Sequence, residues 1–303
     1  MEYKNLPDLR SLSTLKAVVE LGGVAEAGRA LHVGQPAVTK RLRALDACYG
    51  VEIMQRGGRR LELTQAGMKV YNFARLVLDH QALLLDDIAS LRIGQNRLRL
   101  EVTSSIGEHL LPDLLLRFAD AYPEHQIESR MGYSRRIQTR LATGLSDLAL
   151  LESEPDHPDI LLQKWLDDEL VLVCGSLHPL CDGDLLPVTE LKALTYVLRE
   201  TGSSTRTILS KALHDIGIDQ LPVAMEVGST DTIMEMLERG KHVSFLPRFA
   251  VEDALKEGSL FHIKVQGLRI WRTLWIARSH SNLNNPVAEA FIQLLREDAV
   301  ASS

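Results

Sequence analysis

Between Thr64 and Arg92 no proline interrupts the chain, and Val70, Phe73, Val77, Leu84, Ile88 and Leu91 recur at three- and four-residue steps. That period is the mark of one long amphipathic helix, about 40 Å in length at 1.5 Å per residue. Thr64 stands where an N-cap is needed, and Gly94-Gln95-Asn96 breaks the pattern and supplies a hinge. An apolar stripe of this length needs a partner. The helix divides the 303 residues into a head (1–66), a linker helix (67–93) and a larger part (94–303).

Charge follows the same division. The whole chain carries −6, but residues 1–66 hold 10 Lys+Arg against 7 Asp+Glu, and the remainder 24 against 33. Residues 29–60 alone contain Arg29, Lys40, Arg41, Arg43, Arg56, Arg59 and Arg60, opposed only by Asp46 and Glu52. A basic segment on an acidic chain points either to a polyanionic partner for that segment or to a solvated helix face. With 45% hydrophobic and 24% charged residues the composition is globular, and no apolar run approaches the roughly 18 residues of a membrane span. The opening MEYKNLPDLR lacks the apolar core of a signal peptide. Cys48, Cys174 and Cys181 do not make a disulfide framework. A cytoplasmic protein with no membrane partner is expected.

In the head, Leu9, Leu12, Leu15, Val18 and Val19 predict a helix ending at Gly22-Gly23. A second helix follows over about Val24 to Leu31, then a turn at His32-Val33-Gly34, then a third helix opening on Gln35-Pro36. Proline fits there because its missing N–H would be unpaired in a first turn. Val38, Leu42 and Leu45 form the buried stripe of this third helix, and Thr39, Lys40, Arg41 and Arg43 lie largely on other faces. Two short helices joined by a tight turn, the second polar and basic at its start, suit entry into a DNA major groove. Gln35 and Thr39 can meet base edges, and lysine or arginine can meet guanine or phosphate. Strands over 51–54 and 61–64 around Gly57-Gly58 make a hairpin whose tip carries Arg56, Arg59 and Arg60. Such a hairpin beside a reading helix is a wing.

The stretch LHVGQPAVTKRLRALDACYGVEIMQRGGRRLELTQAG, residues 31–67, resembles the DNA-binding domain of LysR-type transcriptional regulators. The order matches: Gln-Pro-Ala recognition start, Leu-x-x-Leu, Gly-Val, arginine-rich wing, and Leu-Thr-x-x-Gly into a long helix. The resemblance implies DNA contacts from Gln35, Pro36, Ala37, Thr39, Lys40, Arg41, Arg43, Arg56, Arg59 and Arg60. It also implies a homodimer through antiparallel linker helices, a homotetramer built from dimers, an inverted-repeat promoter site and RNA polymerase as a further partner. Gly34 and Gly28 depart from the pattern, where the family usually has serine and alanine; glycine at a cap costs a few tenths of a kcal/mol, and within a helix up to about 1 kcal/mol.

Residues 97–303 alternate between strand and helix. Strands over 98–102, 126–130 and 148–151 with intervening helices give βαβαβ order and a parallel sheet. A crossover near Trp165 to Glu169 leads to a second sheet with strands at 170–173, 196–198, 223–227 and 243–246 and helices at 203–215 and 230–239. The chain returns at about Arg269 to Ala277 and closes with a helix over 287–295. The expected fold is thus an all-α winged helix-turn-helix with a long linker helix, followed by a two-lobe α/β domain. Lobe 1 would span about 97–166 and 269–303, and lobe 2 about 167–268. The two lobes resemble periplasmic binding proteins, the form of LysR-type sensor domains.

Ligands in open α/β sheets bind beyond the carboxyl ends of the strands. Three such ends here are rich in hydroxyls: Thr103, Ser104 and Ser105; Thr201, Gly202 and Ser203 with Arg206; and Gly228, Ser229 and Thr230. Each precedes a helix, whose N-terminus favours anions, although Ser and Thr are also ordinary N-caps. Three clusters at corresponding places favour an effector site between the lobes. Arg206 is a candidate for bidentate anion pairing or for a local carboxylate bridge. The run RETGSSTR at 199–206 resembles the branch containing regulators of carbon fixation and sulfur metabolism, which implies an anionic effector and no other cofactor.

Two other readings remain. Cys174 and Cys181 admit a thiol-based redox regulator, though Cys174 ends an apolar strand. A solute-binding or enzymatic α/β protein with an unrelated head is the other, but no G-x-S-x-G, Walker A or G-x-G-x-x-G occurs. No catalytic set is expected. No histidine pair has helical metal spacing and no Cys-x-x-Cys occurs, so no metal site is expected either.

Overall fold

The computed structural model describes residues 6–57, 60–93, 97–182, 185–279 and 285–301. The chain divides into two compact units, Met1–Arg92 and Ile93–Ser303.

In the first unit, Asp8 caps α1 (Leu9–Leu21) by accepting the Ser11 N–H at 2.7 Å. α1 ends at Gly22, whose φ of 81° is the left-handed conformation that glycine adopts without strain. α2 (Val24–Ala30) and α3 (Gln35–Tyr49) follow. Val18, Ala27 and Val38, one from each helix, form a small core. Leu12, Leu15, Leu45, Ile53, Val70 and Ala74 form a larger one. The wing strands are β1 (Met54–Gly57) and β2 (Arg60–Leu63), paired antiparallel with Met54 opposite Leu63. The first wing strand therefore starts three residues later than the apolar run Val51–Met54 predicts. The reason is local: Asp46 takes the Ile53 N–H at 2.8 Å, which holds 51–53 as a connection and leaves Val51 exposed. α4 runs from Gln65 to Ile93, and Thr64 caps it by accepting the Gly67 N–H at 2.9 Å.

The second unit is built on one hydrogen-bonded sheet. In chain order its strands are β3 (Arg97–Val102), β4 (Gln126–Met131), β5 (Leu148–Leu151), β6 (Ile160–Gly175), β7 (Tyr196–Arg199), β8 (Val223–Val227), β9 (Val243–Pro247), β10 (Leu260–His262) and β11 (Ile270–Ser279). Their spatial order is β4-β3-β5-β11-β6-β9-β7-β8, with β10 on β6. β3, β4 and β5 are parallel to one another, as are β7, β8 and β9. The helices are α5 (Ser104–His109), α6 (Leu111–Ala121), α7 (Ser134–Ala142), α8 (Ser204–Asp215), α9 (Thr230–Arg239), α10 (Arg248–Glu257) and α11 (Pro286–Ala301).

The expected second sheet is not separate among the described residues, and the expected crossover at 165–169 is made by a continuous strand. Those residues lie inside β6, which pairs with β11 from Ile160 to Leu170 and with β9 from Leu170 to Cys174. Two long strands thus run through both halves. A bulge at Leu274/Trp275, opposite Trp165, interrupts the β6–β11 register midway, and bulges add local twist. Each half keeps its own cores. Leu98, Leu100, Phe118, Trp165, Phe291 and their neighbours fill the first. Leu172, Tyr196, Leu209 and Phe245 lie on one face of the second half, and Val173, Ile233, Leu246 and Val251 on the other.

Candidate nucleic-acid interface and effector site

In the first unit, α3 buries Val38 and Leu45 and thereby turns its opposite face outward. Gln35, Pro36, Lys40 and Arg43 are exposed, and Ala37, Thr39 and Arg41 are half-buried. Gly34 occupies the N-cap in extended geometry and makes no side-chain cap bond. Arg41 is not a free cation, since its Nη1 donates to Thr14 Oγ1 of α1 at 3.2 Å. Arg59 lies outside the described residues, and of Arg56 and Arg60 only the strand backbone is described. A Cβ on Gly28 would meet the Val33 carbonyl oxygen at 2.9 Å. Glycine at 28 therefore lets α2 close onto the turn before α3, which its low helix propensity alone does not reveal.

In the second unit, the hydroxyl clusters separate into two kinds. Ser203 and Ser229 act as helix caps. Ser203 Oγ accepts the Arg206 N–H at 3.1 Å, and Ser229 Oγ accepts the Thr232 N–H at 3.4 Å. Thr201 is exposed and donates to Glu226. Gly202 turns with φ 101°. Arg206 forms the local carboxylate bridge, reaching Glu226 at 3.6 Å and the Arg199 carbonyl at 3.4 Å. Ser104 opens α5, and Gly228 precedes the α9 cap.

The other hydroxyls meet across the two halves. Ser105 of α5 and Thr230 of α9 lie 3.3 Å apart, oxygen to oxygen, and both are fully buried. Arg199, at the end of β7, donates from Nη1 to Thr230 Oγ1 at 3.1 Å and to Ser105 Oγ at 3.3 Å. Its other nitrogens hold Glu200 at 2.9 and 3.1 Å. Thr103, 3% exposed at the end of β3, has a hydroxyl with no hydrogen-bond partner. Burial works against the Arg199 charge, but Glu200 outweighs it and raises the pKa further. Burial likewise works to raise Glu200, yet Arg199 and Tyr133 bring it below the usual carboxylate range. The result is a buried cation aimed at two hydroxyls, one from each half. Sequence reasoning missed Arg199. The available signal was the charged pair Arg199-Glu200 ending the apolar strand Tyr196-Val197-Leu198.

Beside this cluster, Arg272 of β11 binds Asp168 of β6 at 2.7 Å, Glu152 at 3.0 Å and Thr205 of α8 at 3.2 Å, with its side chain 1% exposed. It ties the strand shared by the halves to α8 and to the end of β5. Cys174 is fully buried, and burial pushes its thiol up to about 11. A thiol held protonated is a poor nucleophile.

Residues 9–68 match the family described as "Bacterial regulatory helix-turn-helix protein, lysR family", and residues 93–300 match "LysR substrate binding domain". The chain is 31% identical over 280 residues to the uncharacterized HTH-type transcriptional regulator YeiE of Escherichia coli (strain K12), covering 91% of this chain and 93% of the relative. Full-length CbnR complexed with target DNA has a similar fold, with TM-score 0.75, 22% identity, and 96% and 99% of the two chains covered. The regulatory domain of Synechocystis PCC6803 CcmR in complex with 2-PG matches with TM-score 0.61 and 25% identity over 67% of this chain and 97% of that one. Among the described residues no helix is long and apolar enough to cross a membrane. The helix-turn-helix head and the two-half α/β sheet thus find their counterparts together, and the chain belongs to the LysR family as a DNA-binding transcriptional regulator with an effector-binding domain.

Proposed function

We propose that the effector of this regulator is a small anion held where Ser105, Arg199 and Thr230 meet. The carrying observation is the buried Arg199 guanidinium, which spends one nitrogen on hydroxyls contributed by both halves. An anion accepting from Arg199, Ser105 and Thr230 would replace the bonds these groups make to one another and would sense the relative placement of α5 and α9. The unpartnered Thr103 hydroxyl adds a donor at the end of the neighbouring strand. The 2-PG complex of the CcmR regulatory domain supports the class. A thermal-shift screen of the full chain against small carboxylates, sulfur oxyanions and phosphorylated acids including 2-PG tests this reading. One anion class should raise the melting temperature. Its Kd should weaken at least about tenfold in Ser105→Ala or Thr230→Ala, as expected for a hydrogen bond to a charged ligand. Shifts only from neutral compounds, or shifts unchanged in both variants, would reject the site.

On the DNA side, the exposed face of α3 reads the major groove and Lys40 contacts phosphate. Lys40→Ala should lower the slope of log K against log salt by about one unit. Arg41→Ala should lower it less, because Thr14 already holds that guanidinium. Fluorescence anisotropy on the chain's own upstream DNA between low and moderate salt reads both; equal slopes for Lys40→Ala and the unsubstituted chain would remove the phosphate role.

α4 exposes Phe73, Leu84, Leu85 and Ile88, an apolar stripe that two copies would bury against each other. A dimer with paired heads takes an inverted-repeat site. Leu84→Glu with Leu85→Glu should give a monomer by light scattering, and an unchanged dimer would place the interface elsewhere.

A further inference from the structure

We propose that Glu108, His109 and Asp231 bind one divalent transition-metal ion of the zinc class. Glu108 and His109 end α5 in the first half, and Asp231 lies in the first turn of α9 in the second. His109 Nε2 is 3.4 Å from Asp231 Oδ1 and 3.9 Å from Glu108 Oε2. All three donor atoms lie within 4.8 Å of one another. Around a tetrahedral zinc with ligands at 2.0–2.2 Å, neighbouring donors stand about 3.3 Å apart. The cluster is therefore one small side-chain movement from coordination geometry, and Asp231, 67% exposed, is free to make it.

A second observation is independent of spacing. Glu108 Oε2 and His109 Nε2 are both inaccessible to solvent and have no hydrogen-bond partner. Buried polar atoms without partners are rare in folded proteins, and here two face the same carboxylate. One imidazole and two carboxylates leave a fourth position for water. The sequence spacing could not show this set, because its third ligand comes from the other half of the sheet. A bound ion would clamp α5 to α9, the same two helices that Ser105 and Thr230 join.

The test uses the full chain without an affinity tag and with no effector present. Zn²⁺ is titrated in competition with a chromophoric chelator, and Co²⁺ is read by its visible absorption. One ion per chain is expected, with the absorption of four-coordinate cobalt. His109→Gln and Asp231→Asn should each weaken binding by at least about tenfold, given that even outer ligand partners cost that much. Asp231→Asn alters an exposed side chain and keeps the test valid if His109→Gln fails to fold. No binding, binding unchanged in Asp231→Asn, or binding lost instead in Cys181→Ser would overturn the proposal. None of these results depends on the anion site.

Discussion

Arg272→Met is expected to destabilise the sensor unit by about 3–5 kcal/mol, the range for removing one partner from a buried ion pair. The side chain is 1% exposed and serves two buried carboxylates, Glu152 and Asp168, together with the Thr205 hydroxyl. Methionine fills much of the volume but leaves both carboxylates without a cation. Burial already raises the Asp168 pKa, and Arg272 is the main influence holding it down. In the variant it rises further. A carboxyl whose folded pKa exceeds its unfolded pKa weakens the fold fully above the folded value, and the penalty fades as pH falls toward the ordinary carboxylate range. The deficit of Arg272→Met should therefore be largest at neutral pH and shrink in mild acid. Urea unfolding at the two pH values measures this; a deficit independent of pH would mean that lost packing, not unpaired charge, sets the cost.

Gly67→Ala should destabilise the head by about 3 kcal/mol, at the upper end for overpacking. A Cβ at this position would lie 1.9 Å from the Ile53 carbonyl oxygen and 3.1 Å from Leu63 Cδ2. Neither neighbour can yield easily. The Ile53 carbonyl accepts the Thr64 N–H at 3.0 Å, and Thr64 in turn caps α4 at Gly67. The Leu-Thr-x-x-Gly sequence is thus one physical unit, in which threonine starts the helix and glycine lets that helix touch the chain entering the wing. Moving α4 away would also displace the wing from α3, so DNA affinity should fall with stability. Gly132→Ala, whose Cβ would meet only Ile137 Cγ1 at an ordinary 3.7 Å, is the matched control. Equal melting temperatures for Gly67→Ala and Gly132→Ala would contradict the packing argument.

The elements legible in the sequence were those governed by local periodicity. Leu12, Leu15 and Val18, and Val38 and Leu45, mark helices because each stripe is buried in the head itself. The parallel trio β3–β5 reads from short apolar runs between helices. β6 did not read as one strand, because Lys164, Asp167, Asp168 and Glu169 interrupt its apolar pattern. Lys164 and Asp167 pair with each other at the surface, whereas Asp168 and Glu169 depend on partners far along the chain, Arg272 for the first and Arg248 and Arg269 for the second. The same reason hid the heart of the candidate site. Ser105 and Thr230 stand out as hydroxyls at strand ends, but nothing local distinguishes them from Ser203 and Ser229, which only cap helices. What selects them is Arg199, and its reach across the halves is a tertiary fact.

The effector and DNA must be linked if an anion at Ser105, Arg199 and Thr230 regulates the head. A ligand that binds two conformations equally shifts nothing, and any coupling is reciprocal. The direct measurement is the Kd of the anion found in the screen, taken on the full chain with and without saturating upstream DNA, in the unsubstituted protein and in Thr230→Ala. DNA is expected to change the Kd by a factor of about 5–150, the usual span of allosteric coupling, and Thr230→Ala to weaken binding in both states. A Kd that DNA leaves unchanged, or one that Thr230→Ala does not alter, would contradict this expectation.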